Sequence, residues 1–380
     1  MNKIPLEMID LLKFGGLWFN YSGHKYEKLI YFVQFCRLFV ILFICMLTII
    51  PIFTKGMNYV MSGSAVFIPL GLIVGCLAII TVAGFKTVEK TIYLTDEIIN
   101  SHKEVWELNV INIEVDKARK IVDILKKYLY LFAVFYILAP VIIDLLRAQM
   151  GYLNPYKVLL PLDGYLDEII VRDYNYFLLT FLSFIWFVLI VANNVAFEGL
   201  VFYLVSLAIG EMKIIKMKCD SLRDEKYEWN LEEIINNHRM LLRYINYQKE
   251  SIGLQLCMQN VLSTMNNCLV MYLINNTYDT DKILFTFCCL FLIFVAVLLG
   301  AICDQGESVQ SESEKMFQSI YNTPWYKQSP KNRKSINLML LQASRPLVYD
   351  YKRQSPINRL AFRMIINGSY SYFMLLKSFE

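Results

Sequence analysis

Apolar residues in this chain come in long blocks, separated by stretches that hold nearly all of the charge. Seven blocks, at 31–53, 66–84, 128–146, 177–207, 252–273, 283–303 and 357–376, are long enough to cross a bilayer as helices, which takes ~20 residues. The fifth and seventh are weakly hydrophobic and qualify because their polar residues fall on stripes. In the fifth, Gln255, Gln259, Ser263 and Asn267 recur every four residues, so one face can turn inward. The seventh holds Arg359, Arg363, Asn367, Ser369 and Ser371, which are costly in hydrocarbon unless they face protein or water. Stepping by four along it gives Asn367, Ser371, Leu375 and Phe379, drifting only ~40° per step. That stripe passes from polar to apolar toward the end of the sequence. A water-filled conduit with an apolar constriction has such a lining; so does a helix buried in a bundle.

The fourth block continues to about Ala208, some thirty residues or roughly 45 Å of helix. That exceeds a ~30 Å hydrocarbon core, so the helix projects beyond the membrane. Residues 208–250 then alternate apolar and charged positions at helical spacing, as in Ile234, Met240, Leu241 and Ile245, and residues 96–127 do the same. The pattern predicts an all-α polytopic membrane protein, one seven-helix transmembrane unit over 1–380, whose cytoplasmic half is helical and packed.

Composition agrees: 56% of residues are hydrophobic and 18% charged, with a mean hydropathy of +0.42. The placement of charge says more than the net +4. Segments 1–30, 85–127, 208–250 and 304–356 hold 28 Lys and Arg, against 6 in 54–64, 147–176, 274–282 and 377–380. By the positive-inside rule the N-terminus is intracellular and the C-terminus extracellular, the reverse of a G-protein-coupled receptor. The outer segment 147–176 also lacks the cysteine that such receptors bridge to their third helix. The N-terminal stretch is no cleavable signal, and Leu11, Leu12, Leu17, Trp18 and Phe19 predict an interfacial segment ahead of the first span.

Chemistry-bearing residues are sparse. Eight of the nine cysteines lie in or at the ends of apolar segments and read as small hydrophobes, while Cys219 falls in a basic cytoplasmic loop. The three histidines are far apart, so no metal site is expected, nor any cofactor. No catalytic motif is present, and no nucleic-acid partner is expected. Asn275-Asn276-Thr277 is a glycosylation sequon on the outer side. Glu198, the one acid deep in a span, has Asn193 and Asn194 a turn above it; it serves conduction or gating, or is a satisfied packing contact. Aromatics crowd the outer halves of the second, third, fourth and sixth spans: Phe67, Tyr136, Phe177, Phe181, Phe184, Phe285 and Phe287, with Thr180, Ser183 and Cys288 among them. They line either a cavity for a small, weakly polar ligand or an ordinary packed or lipid-facing surface.

The C-terminal third resembles the insect odorant receptor family. The resemblance rests on GAICDQGESVQSESEKMFQSIY leaving the sixth span, then YNTPWYKQSP with Tyr321 and Trp325. RKSINLMLLQASRPL follows, with Leu338, Met339, Gln342 and Pro346, and then GSYSYFMLL. The ending departs from the Thr-Tyr…Gln-Phe signature of the related gustatory receptors, which remain the nearest alternative, with a metabotropic seven-helix receptor further off. The resemblance implies a subunit of an odorant-gated, non-selective cation channel in the plasma membrane of olfactory neurons. It also implies a hetero-oligomer, a tetramer with a shared co-receptor. Lacking a long insertion after the fourth span, the chain resembles a tuning subunit. Segment 303–356 would then be the cytoplasmic anchor, including Trp325, Tyr326, Leu338, Met339 and Gln342. Segment 357–380 would be the pore-lining helix, with Asn367, Ser371, Leu375 and Phe379 along the pore and the last two at the gate. The odorant pocket would lie among the outer aromatics named above. Asp350, Lys352 and Arg353 stand where relatives often carry small or apolar residues, and Lys377 and Glu380 would put charges beside the outer gate.

Overall fold

The computed structural model describes residues 2–20, 27–55, 75, 79–80, 82–149, 173–222, 231–279, 282–352 and 355–378. Nine α-helices occur among them: α1 (Lys3–Gly15), α2 (Glu27–Lys55), α3 (Phe85–Ser101), α4 (Val105–Gln149), α5 (Asp173–Ser221), α6 (Leu231–Thr277), α7 (Lys282–Tyr321), α8 (Pro330–Ala343) and α9 (Arg359–Lys377). The first, third, fourth, fifth and sixth predicted spans lie within α2, α4, α5, α6 and α7. The seventh, 357–376, begins two residues before α9 and ends one residue short of it. Most of the second span lies outside the described residues.

Four of these helices far exceed a membrane thickness. The 49 residues of α5 extend about 74 Å at 1.5 Å each, more than twice a hydrocarbon core. The excess packs, as the helical periodicity of 96–127 and 208–250 predicts. Helix α5 is the central post, in contact with α1, α2, α4, α6 and α7. From Phe187 onward most of its residues are buried: Val195, Ala196, Phe197, Leu200, Leu204 and Ile215 are nearly sealed. Cys219, placed by sequence in a loop, is a buried residue of its last turn, and burial pushes its thiol up to about 12.

The N-terminal helix differs from the expected interfacial segment. Leu11, Leu12, Leu17 and Trp18 are buried in the protein core, and α1 packs on α5 and α3. Close approach is what permits this: a Cβ on Gly15 would lie 2.1 Å from Ala196 Cβ. A bidentate Arg119–Glu7 pair at 2.8 and 3.0 Å ties α1 to α4 as well.

A buried charge network joins the inner helical extensions. His102, the C-cap of α3, meets Glu211 of α5 through Nε2 at 2.7 Å and Glu107 of α4 through Nδ1 at 3.2 Å. Lys218 of α5 pairs with Glu107 and, at 2.6 Å, with Glu233 of α6. Burial alone would lower the His102 pKa, but the hydrogen bond to Glu211 and the charges of both carboxylates hold it above the ordinary 6.5. Burial likewise opposes ionisation of Glu107, and Lys218 overrides it to keep that carboxyl below its ordinary value. Nearby, Gln248 donates to Leu204 O at 2.9 Å and accepts from Tyr349, tying the strand-like run before α9 to α5 and α6. Asp350, one of the unusual charges in that run, accepts from Lys249 at 2.8 Å.

Candidate functional site

The α6 stripe of Gln255, Gln259, Ser263 and Asn267 is buried along its whole length, turned inward as its spacing predicts. Part of it meets Glu198 of α5: Gln259 Nε2 donates to Glu198 Oε1 at 2.5 Å. Around this pair, α5, α6 and α7 enclose a cavity of about 60 Å³. Its polar lining is Asn194, Glu198, Gln259, Ser263 and Asn266; Phe187, Ile190, Phe291, Phe294 and Leu298 supply the apolar wall. The sequence placed Glu198 in a span and Gln259 and Ser263 on the inward stripe. It did not show that these belong to one site, because that pairing depends on how two helices are rotated against each other. Asn266 lies one position off the four-residue stripe and carries no signal of its own.

Helix α9 is the second feature. Asn358 caps it, its Oδ1 accepting from Ala361 N at 2.9 Å. It docks on α6 and α7 through Ile365 and Ser369, the latter donating to Thr264 O at 3.1 Å. The opposite face carries Asn367, Ser371 and Leu375, all exposed. Of the two lining possibilities left open by the stripe, a helix buried within its own chain is therefore not what these residues adopt. Phe379 lies outside the described residues. Lys377 donates to Asn275 Oδ1 at 3.1 Å, across to the end of α6. The sequon is thus inside a helical last turn, with Thr277 buried.

The other predicted positions are dispersed. Phe181 and Phe184 are exposed on the outer part of α5, Cys288 is buried on α7, and Phe285 stacks edge-on against Tyr278 with ring centroids 5.4 Å apart. Tyr136 lies on α4 and Phe177, Thr180 and Ser183 on α5; Phe67 falls outside the described residues. In the expected anchor, Ser329 caps α8 by accepting from Asn332 N, with Pro330 at its first position. Tyr326, Leu338, Leu341 and Gln342 are exposed, and Trp325 is half-buried. Met339 faces the other way, into the chain's own core.

Comparison with known proteins bears on what this arrangement serves. The family model described as 7tm Odorant receptor matches residues 67–370. Odorant receptor 67c of Drosophila melanogaster is 22% identical over 167 residues, 44% of this chain and 41% of that protein. Odorant receptor 10 of Aedes albopictus is 23% identical over 168 residues, 44% of each. These alignments span less than half the length of either relative. Among solved structures, the insect olfactory receptor OR5 from Machilis hrabei in complex with eugenol superposes with a TM-score of 0.81 at 11% identity, covering 100% of this chain and 98% of that one. A second structure of OR5 gives a TM-score of 0.74 at 12% identity. The shared architecture is all-helical and polytopic.

Proposed function

Since the chain belongs to the seven-transmembrane odorant receptor family, we infer that it is an odorant-binding, pore-forming subunit of a ligand-gated, non-selective cation channel, assembled with a shared co-receptor. The observation that carries this reading is the exposed Asn367–Ser371–Leu375 face of α9. Those residues run from polar to apolar on a helix whose other face is docked on α6 and α7. A lone chain gains nothing by presenting Asn367 and Ser371 to lipid; around a central axis the same face lines a conduit. Leu375 and Phe379 form its gate.

The exposed Tyr326, Leu338 and Leu341 fit an assembly surface within the anchor 303–356, which lies in the cytosol if the basic segments do. The ligand would be small and volatile, held in the outer half among Phe67, Tyr136, Phe177, Thr180, Phe181, Ser183, Phe184, Phe285 and Cys288. The eugenol complex of the OR5 relative fits that size class. Binding there would draw the outer helix ends together and retract Leu375 and Phe379 in an olfactory neuron's plasma membrane.

Whole-cell current under an odorant panel tests this, with the chain expressed alone, with an insect co-receptor, and with G-protein signalling blocked throughout. A fast cation current that requires the co-receptor is the expected result. A response abolished by the block alone would replace the channel with a metabotropic receptor.

A further inference from the structure

The cavity at Glu198 has an unmatched chemistry. Glu198 is 1% exposed, and only one of its carboxylate oxygens is engaged, by Gln259. Its Oε2 meets no donor among the described residues. Because Gln259 commits its amide nitrogen to Glu198, its own oxygen is turned elsewhere, and Oε1 has no partner either. Asn266 Oδ1 is in the same position, and both residues line the cavity with Asn194 and Ser263. A buried acceptor left unmatched is costly, and a carboxylate most of all. These side chains therefore call for a proton, a cation or a hydrogen-bond donor from outside the chain.

Size and charge narrow the guest. About 60 Å³ has no room for an odorant-sized body, but it accommodates an ion with one or two waters. The available ligands are all oxygen: one carboxylate, amide carbonyls and a hydroxyl, a set suited to hard cations. A divalent ion would be left under-neutralised by a single carboxylate, and Mg²⁺ would also bring several waters of its own. Among the described residues there is no group of three His, Cys, Asp or Glu to hold a transition metal. A monovalent ion balances Glu198. We propose that Glu198, Gln259, Ser263 and Asn266 form a binding site for an alkali metal cation, Na⁺ or K⁺, at the junction of α5, α6 and α7. The site is lined by α5, α6 and α7 and not by α9, and it lies about one helical turn along α5 and α7 from Phe184 and Cys288 of the expected odorant pocket. A cation bound there by the folded chain alone adds stability by mass action and braces the three helices against one another.

The test is thermal unfolding of the purified full-length chain in detergent, at constant ionic strength, as N-methyl-D-glucamine chloride is replaced by NaCl or KCl. The expected result is a saturable rise in the unfolding midpoint with at least one alkali ion. Glu198→Gln, which keeps an oxygen for Gln259, abolishes the rise. Asn266→Ala, carrying the test should the first variant not fold, raises the half-saturating concentration roughly tenfold, the effect of losing one ligand. Equilibrium binding of radioactive sodium to the same samples gives an independent readout. An unchanged midpoint in wild-type protein on salt exchange overturns the proposal and leaves a site for bound water only. A rise kept in full by both variants also overturns it, placing the ion elsewhere, as in the pore.

Discussion

His102, bridging Glu107 and Glu211, holds its proton above pH 6.5, whereas burial depresses the pKa of His238 to about 4. Their contributions to stability therefore run in opposite directions. For His102 the folded pKa exceeds the unfolded one, so its contribution is full below 6.5 and is lost as pH rises through the folded value. For His238 the contribution is present above 6.5 and is lost as pH falls toward 4. In pH-dependent unfolding of the solubilised protein, His102→Gln is expected to flatten the alkaline side of the profile relative to wild type, and His238→Leu the acidic side. The network around His102 also sets a contrast in magnitude. Glu107→Ala strips buried Lys218 of a partner and should cost about 3–5 kcal/mol in denaturant unfolding. Lys117→Ala removes an exposed partner of Glu114 and should cost less than about 1 kcal/mol.

Close helix approach decides stability at the level of elements. A Cβ on Gly306 of α7 would lie 2.0 Å from the carbonyl oxygen of Ile357, where the chain turns into α9. Neither backbone can yield, so Gly306→Ala should displace α9, lowering both the unfolding midpoint and any ligand-evoked current. Gly300→Ala, two turns away on the same helix, meets only Phe362 ring carbons at 3.7 Å and should leave both within experimental error. Helices of this kind were legible where their signal is local. The polar stripe of α6 and the overlong fourth block each announce an element from residues within a few turns. Helix α1 was not legible, because its burial depends on Gly15 fitting against Ala196, about 180 residues away. The basic residues around Cys219 suggest a solvent-exposed loop for a related reason: the sequence does not show that they are drawn into pairs such as Lys218–Glu107. Glu198 presents the same division within the candidate site, its depth being visible in the sequence and its partner on α6 not.

For the molecule as a whole, the proposed function depends on the face of α9 that points away from α6 and α7. Leu375→Ala is expected to raise basal current or alter ion permeation in the assembled channel, and unaltered values of both would remove Leu375 from the gate. Leu338→Asp should reduce recovery of the hetero-oligomer with the co-receptor in native gels, while leaving the single chain folded, since its side chain is exposed. Met339→Asp should unfold the chain itself, because that neighbour is buried. Nothing in the sequence distinguishes Leu338 from Met339, whose different orientations follow from how α8 lies on α6 and α7.

Helix α5 also bears on how such a protein can diversify. Its outer positions, Leu178, Phe181, Leu182, Phe184 and Ile185, are exposed, whereas those from Phe187 inward are mostly sealed among five other helices. One continuous rod thus carries two mutational regimes. Near the outer end, side chains can be exchanged with little penalty to folding. A few turns further in, even a methylene is constrained by its neighbours. A duplicated copy of this gene could drift at the tolerant end while inheriting, unaltered, the frame that lets it fold.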